Sequence, residues 1–160
     1  MVYLYYGENS FVIQENLSIL KEKYLAKYGS GFNFWKFDLE ENIDDLESVL
    51  ESQAMFAEKK LVFLRGALLV LEDKWQGLES IFKKNNWLAK SDEVILVLYD
   101  FSSAKKQKKR LEFLKTLGAA KEFKNFDKPR LIDWCLKRSN ENNIRVSRVD
   151  LAYLVDAVGC

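Results

Sequence analysis

Two short, almost wholly apolar runs set the fold class of this chain. Leu61-Val62-Phe63-Leu64 and Val94-Ile95-Leu96-Val97-Leu98 lack the alternation of a strand with one wet face. Such runs are strands buried on both sides, as in a parallel sheet covered by helices. Helix-length segments lie between them. Ile13, Leu17, Leu20, Tyr24 and Tyr28 recur at steps of three and four and mark one apolar helix face, which Gly29-Ser30-Gly31 ends. Trp75, Leu78, Ile81 and Phe82 mark another helix, and Leu111, Leu114 and Leu117 a third, closed by Gly118. Shorter strands read at Tyr3–Tyr6, Asn33–Phe37 and Ala120–Phe123. Asn42 reads as the cap of a further helix, with Asp44 and Asp45 in its first turn and Ile43, Leu46, Val49 and Leu50 inward. Strands alternating with helices give an α/β fold with a mostly parallel sheet flanked by helices.

The first strand meets its helix where a strand–loop–helix nucleotide binder places G-x-x-x-x-G-K-[ST]. Here the turn is Gly7-Glu8-Asn9-Ser10. It has one glycine, no lysine, and a glutamate that repels phosphate. This pattern predicts the outline of an ATPase without the means to hold ATP.

Composition narrows the chemistry further. The chain has no histidine, which removes Ser-His-Asp and Cys-His nucleophiles and the commonest metal ligand. Cys135 and Cys160 are too few for a zinc site, and a structural disulfide between them is not expected. A formal net charge of +1 sets up no global field toward nucleic acid or membrane. No apolar run has the ~20 residues of a membrane span and no signal peptide precedes the first strand, so a soluble cytoplasmic protein with no cofactor is expected.

The pattern changes after Phe126, giving an α/β domain over 1–126 and a second segment over 127–160. Pro129 sits in the first turn of a helix that Leu131, Trp134, Cys135 and Arg138 continue. Asn140–Asn143 breaks it. Ser147-Arg148-Val149-Asp150 then fits a capping box, followed by the stripe Leu151, Leu154, Val155 and Val158, with Gly159 as a closing residue. Two short helices cannot bury both stripes by themselves. The chain is expected to stop as a small helical domain begins.

Three places could carry function. Asp100 follows the second apolar run, where a Walker-B acid could sit, or where a strand-end turn residue would. Ser52–Lys60 joins an acidic stretch to a buried strand and contains Met55 and Phe56 side by side. Large apolar neighbours in a connection either tuck into the core or are offered to a partner. Lys105-Lys106-Gln107-Lys108-Lys109-Arg110 opens a helix after a buried strand. It is either a solvated basic face or a contact for nucleic-acid phosphates, although cations at a helix N-terminus oppose its dipole.

Taken together, these segments resemble the N-terminal part of the delta subunit of bacterial DNA polymerase III, a clamp-loader component. The resemblance rests on Tyr3-Leu4-Tyr5-Tyr6-Gly7-Glu8-Asn9-Ser10-Phe11, on Ser52-Gln53-Ala54-Met55-Phe56-Ala57-Glu58-Lys59-Lys60-Leu61-Val62, on Trp134 and on Ser147…Leu154…Gly159. It implies an AAA+-like fold with a degenerate nucleotide site over 1–126 and the start of a helical lid domain over 127–160. It also implies a non-catalytic subunit that binds the ring-shaped sliding clamp and helps open it for loading on DNA, with ATP hydrolysed by other subunits. Adjacent apolar residues enter a clamp pocket in that family, and they match Met55 and Phe56, with Gln53 and Ala57 beside them. The family often has Leu where Met55 stands, a volume-conserving departure. Lys105, Lys106, Lys108, Lys109 and Arg110 are carried as a contact for primer–template DNA. The collar through which family members assemble with the other loader subunits is expected to be missing, so assembly into the pentamer should fail. The competing readings are a P-loop enzyme, a nucleic-acid-binding module using the basic run, and a scaffold for another partner.

Overall fold

The structure, a computed structural model, describes residues 1–29, 31–41, 44–54, 59–84, 92–105 and 107–158. Five strands and six helices run through them: β1 (Val2–Tyr6), α1 (Ser10–Tyr28), β2 (Phe34–Asp38), α2 (Leu46–Glu51), β3 (Lys60–Arg65), α3 (Glu72–Lys84), β4 (Val94–Asp100), α4 (Lys108–Leu117), β5 (Ala119–Glu122), α5 (Lys128–Glu141) and α6 (Arg148–Val158). The chain divides into two compact units, Met1–Phe123 and Lys124–Cys160. Among the described residues no helix is long and apolar enough to cross a membrane.

In the first unit the strands form one sheet, ordered β2-β3-β4-β1-β5. Every pairing is parallel: Leu61 lies opposite Phe34 and Ile95, and Leu4 opposite Leu98 and Ala120. Successive side chains on a strand point to opposite faces, so each apolar run feeds two cores. Leu4, Tyr6, Val62, Leu64, Leu96 and Leu98 face Leu46 and Leu50 of α2, Trp75, Leu78, Ile81 and Phe82 of α3, and Leu114 and Leu117 of α4. Leu61, Phe63, Val97 and Tyr99 face Ile13, Leu17 and Tyr24 of α1. Three helices thus pack into one core, whereas α1 supplies the buried helix residues of the other.

Both ends of α1 agree with its sequence. Asn9 accepts a hydrogen bond from the Val12 amide at 3.1 Å, and Gly29 closes the helix at φ 69°. The helix expected from Asn42 differs. Asn42 and Ile43 lie outside the described residues. Asp44 and Asp45 form a turn before α2, which starts at Leu46, and Asp45 makes no side-chain cap. Glu47 is the acid in the first turn, and Leu46 and Leu50 are the buried pair.

At the sheet's opposite edge, β5 is exposed along its length and carries Lys121 and Glu122, charges that discourage further strand pairing. A Cβ on Gly118, just before it, would lie 2.1 Å from the Val2 carbonyl oxygen, so the strand entry has no room for a side chain.

The second unit is an α5–α6 hairpin. Asp127 caps α5 through the Arg130 amide at 3.0 Å, with Pro129 in the first turn. At α6 the capping box is reciprocal: the Asp150 amide donates to the Ser147 hydroxyl at 3.1 Å, and that hydroxyl donates to the Asp150 carboxylate at 2.7 Å. Ile132, Leu151 and Val155 form its core. Leu154 and Val158, read as part of the apolar stripe, are exposed at 55% and 78%.

Candidate functional site

At the turn between β1 and α1 and in the first turn of α1, the amides of Asn9, Ser10, Val12 and Ile13 are engaged by the protein itself. The Asn9 amide donates to the Phe123 carbonyl at 3.1 Å, Ser10 to Glu8 at 3.0 Å and Ile13 to Asn9 at 3.2 Å, while the Asn9 side chain takes the Val12 amide. A phosphate at a helix N-terminus needs these donors. Phe123 in turn donates to Tyr6 at 2.7 Å, locking the end of β1 to the strand exit of β5. Gly7 permits this approach. Its φ is 139°, and a Cβ there would lie 2.1 Å from the Phe123 carbonyl oxygen. Glu8 points a carboxylate into solvent 3.7 Å from the Lys105 ammonium.

Asp100 ends β4 and is buried. Its carboxylate accepts the Leu68 amide at 2.7 Å, fixing the turn that follows β3. Burial pushes its pKa up to about 6; the Leu68 hydrogen bond and Arg65 pull it down, and Glu40 and Asp38 raise it. The geometry is that of a strand-end turn residue.

The basic run divides. Lys105, Lys108 and Lys109 are exposed, and Lys106 lies outside the described residues. Arg110 is buried, which corrects its place in a surface phosphate contact. Its guanidinium donates to the Leu68 carbonyl at 3.3 Å, the Val70 carbonyl at 2.6 Å and the Glu72 carboxylate at 2.5 Å, and sits 5.0 Å from the Trp75 ring centre. A signal was available: Arg110, Leu114 and Leu117 fall at i, i+4 and i+7, on one inward helix face.

Met55, Phe56 and Ala57 lie outside the described residues; Gln53 is exposed. The flanks of this segment are firmly held. Lys60, at the start of β3, is fully buried. Its ammonium donates to the Val49 carbonyl at 2.7 Å, to the Leu50 carbonyl at 2.9 Å and to the Ser52 carbonyl, which closes the C-terminal end of α2. A cation there also meets the negative end of the helix dipole. The Lys60 amide donates to Glu93 at 2.8 Å. Tyr24 of α1 donates its hydroxyl to the Lys59 carbonyl at 2.7 Å. The chain is therefore fixed at the end of α2 and again at Lys59 and Lys60, where β3 begins. Sequence reasoning missed Lys60, because no local pattern separates it from Lys59.

Among the described residues no His, Cys, Asp and Glu cluster could hold a metal ion.

Comparison with known proteins adds the context. The family model described as DNA polymerase III, delta subunit, matches residues 3–126. The Bacillus subtilis DNA clamp loader delta protein is similar in structure, with a TM-score of 0.69 and 21% identity; the match covers 96% of this chain and 47% of that one. A solved DNA replication initiation factor gives a TM-score of 0.52 at 14% identity, covering 97% of this chain and 49% of its own. At these identities the likeness concerns the fold. The chain spans about half the length of each. No curated protein matches the sequence.

Proposed function

This chain belongs to the DNA polymerase III delta subunit family, and from that premise we propose that it is a non-catalytic clamp-loader subunit that binds the sliding clamp and helps open it. The observation that carries this reading is the family match over 3–126, which includes the segment 53–57. Phe56 is the anchor that enters an apolar clamp pocket. Met55 fills beside it, and Gln53 and Ala57 form the rim. Methionine suits an irregular pocket because its side chain is unbranched and polarisable. The held flanks at Lys60 and Tyr24 support the reading, since a segment fixed at both ends loses less freedom on binding. Opening needs no nucleotide chemistry in this chain. A ligand that favours the open ring by a few kcal/mol over the closed one shifts the equilibrium between them. The engaged amides of Asn9 and Ser10 support a degenerate nucleotide site, with ATP hydrolysed by partner subunits of the loader.

On the same reading, Lys124–Cys160 begins a lid domain, assembly with the other subunits runs through parts of the protein beyond this chain, and the complex works on primer–template DNA in the cytoplasm. The test is calorimetry of the chain against the sliding clamp of its own organism, with Phe56→Ala alongside. Micromolar or tighter binding that Phe56→Ala removes, with the circular dichroism spectrum unchanged, is the expected outcome. A well-folded chain that ignores the clamp overturns the proposal.

A further inference from the structure

Among the described residues, α1 is the helix that supplies buried side chains to one face of the sheet, and β2 is the sheet's edge strand. Between α1 and the β2–β3–β4 strands lies a cavity of about 490 Å³. Pockets for small ligands run from about 300 to 1,000 Å³.

The lining is basic and aromatic. Lys21 comes from α1, Lys36 from β2 and Arg65 from β3, and among the described residues no acid lines the cavity with them. Phe34, Phe63, Tyr99 and Phe101 supply the aromatic wall. Their rings meet edge to face in sequence, Phe34 to Phe63 at 5.2 Å, Phe63 to Tyr99 at 6.4 Å and Tyr99 to Phe101 at 5.7 Å. Phe63 and Tyr99 are buried, while the outer rings, Phe34 and Phe101, are half-buried. Each outer ring carries a cation: the Lys21 ammonium lies 4.6 Å from the Phe34 centre and the Arg65 guanidinium 5.5 Å from that of Phe101. Asp38 holds Arg65 in place at 2.9 Å and neutralises part of its charge.

We propose that this groove binds a single-stranded nucleic acid, with phosphates on Lys21, Lys36 and Arg65 and a base stacked at the Phe101–Arg65 end. Single strands are bound by positively charged grooves that track the backbone and by aromatic or guanidinium planes on which bases stack. The groove has both, on side chains that four separate elements bring together. An edge strand leaves the groove open at one side, as a continuous strand needs. An acidic peptide would satisfy the cations but makes no use of the rings.

The probe is a 5′-fluorescein-labelled twelve-nucleotide oligo-dT, titrated with the full chain and followed by anisotropy. Three phosphate contacts predict roughly 20-fold weaker binding at 200 mM than at 50 mM salt. The double variant Lys21→Gln/Lys36→Gln should weaken binding at 50 mM salt and shrink the salt effect to about threefold. Phe101→Leu, which keeps an apolar side chain without the ring, should weaken binding by about tenfold. Lys105→Gln/Lys108→Gln/Lys109→Gln, on the exposed part of the basic run, should stay within about twofold of the parent. No binding by the folded parent overturns the proposal. So does loss that follows the Lys105, Lys108 and Lys109 variant instead, or equal competition by a polyglutamate peptide. None of these outcomes depends on clamp binding, which the calorimetry reads separately.

Discussion

Lys60→Met is the sharpest test of what holds the segment 53–59. Methionine keeps the length and apolar stem of lysine and deletes the ammonium. Three main-chain carbonyls, those of Val49, Leu50 and Ser52, then lose a charged donor. Hydrogen bonds to charged groups contribute roughly 1.5–3 kcal/mol each, and the penalty for burying an ammonium, several kcal/mol, offsets much of that sum. Ser52 is exposed, so water can replace the donor at its carbonyl, whereas Leu50 is 3% exposed. One or two orphaned carbonyls at about 1–3 kcal/mol each give a net loss of about 2–4 kcal/mol. A domain of this size with a total stability of about 5–15 kcal/mol stays folded at 25 °C after such a loss. Urea unfolding followed by tryptophan fluorescence reads it directly, because Trp75 is buried in the core that α2 covers. The midpoint should fall with the slope unchanged. A Lys60→Met variant within about 0.5 kcal/mol of the parent would refute the argument, since the buried ammonium would then contribute no more than a methyl group.

Two further outcomes follow from the same geometry. Asp100 has a folded pKa of about 6 against an ordinary 3.8, so the native state binds its proton more tightly. The stabilisation from protonation is complete below pH ~4 and lost as pH rises through about 6, a difference of order 3 kcal/mol. Asp100→Asn keeps an acceptor for the Leu68 amide without the charge. The stability difference between parent and variant, measured by urea unfolding at pH 4 and pH 7, should shift in favour of Asn at pH 7; a pH-independent difference refutes the assignment. Gly7→Ala forces a Cβ onto the Phe123 carbonyl at a φ of 139° and should lower stability by about 3 kcal/mol or more, read as a fall in Tm.

What the sequence revealed depended on whether the cause was local. Val62 on β3 and Leu96 on β4 are buried in strands that feed a core on each face, and that condition shows directly as runs without polar residues. The α6 capping box was legible because both partners lie within one turn. The start of α2 was not, since Asn42, Asp44 and Asp45 imitate a helix start while Lys60, from the next strand, fixes the other end. Arg110 was hidden by its basic neighbours, although its spacing to Leu114 matched the inward face. The aromatic groove was illegible for a different reason. Phe34 and Lys36, Phe63 and Arg65, and Tyr99 and Phe101 are each two residues apart, so each pair shares a sheet face. Only the register of β2, β3 and β4 sets Lys36 beside Phe63 and Arg65 beside Tyr99, which staggers the three pairs into one row.

The two positions where a nucleotide-using relative of this fold places its charged groups have both been turned to structural use. At the β1–α1 turn the Asn9 amide holds the Phe123 carbonyl, so offering that amide to a phosphate means detaching the exit of β5. At the end of β4, coordinating a magnesium ion would require the Asp100 carboxylate to release the Leu68 amide. That leaves a buried donor without a partner, at a cost of about 1–3 kcal/mol, in a turn that Arg110 also grips through the Leu68 and Val70 carbonyls. Both costs agree with the proposal that ATP is hydrolysed by other subunits of the loader. The same hydrogen bonds tie the exit of β5 to the β1–α1 turn and the end of β4 to the turn that follows β3.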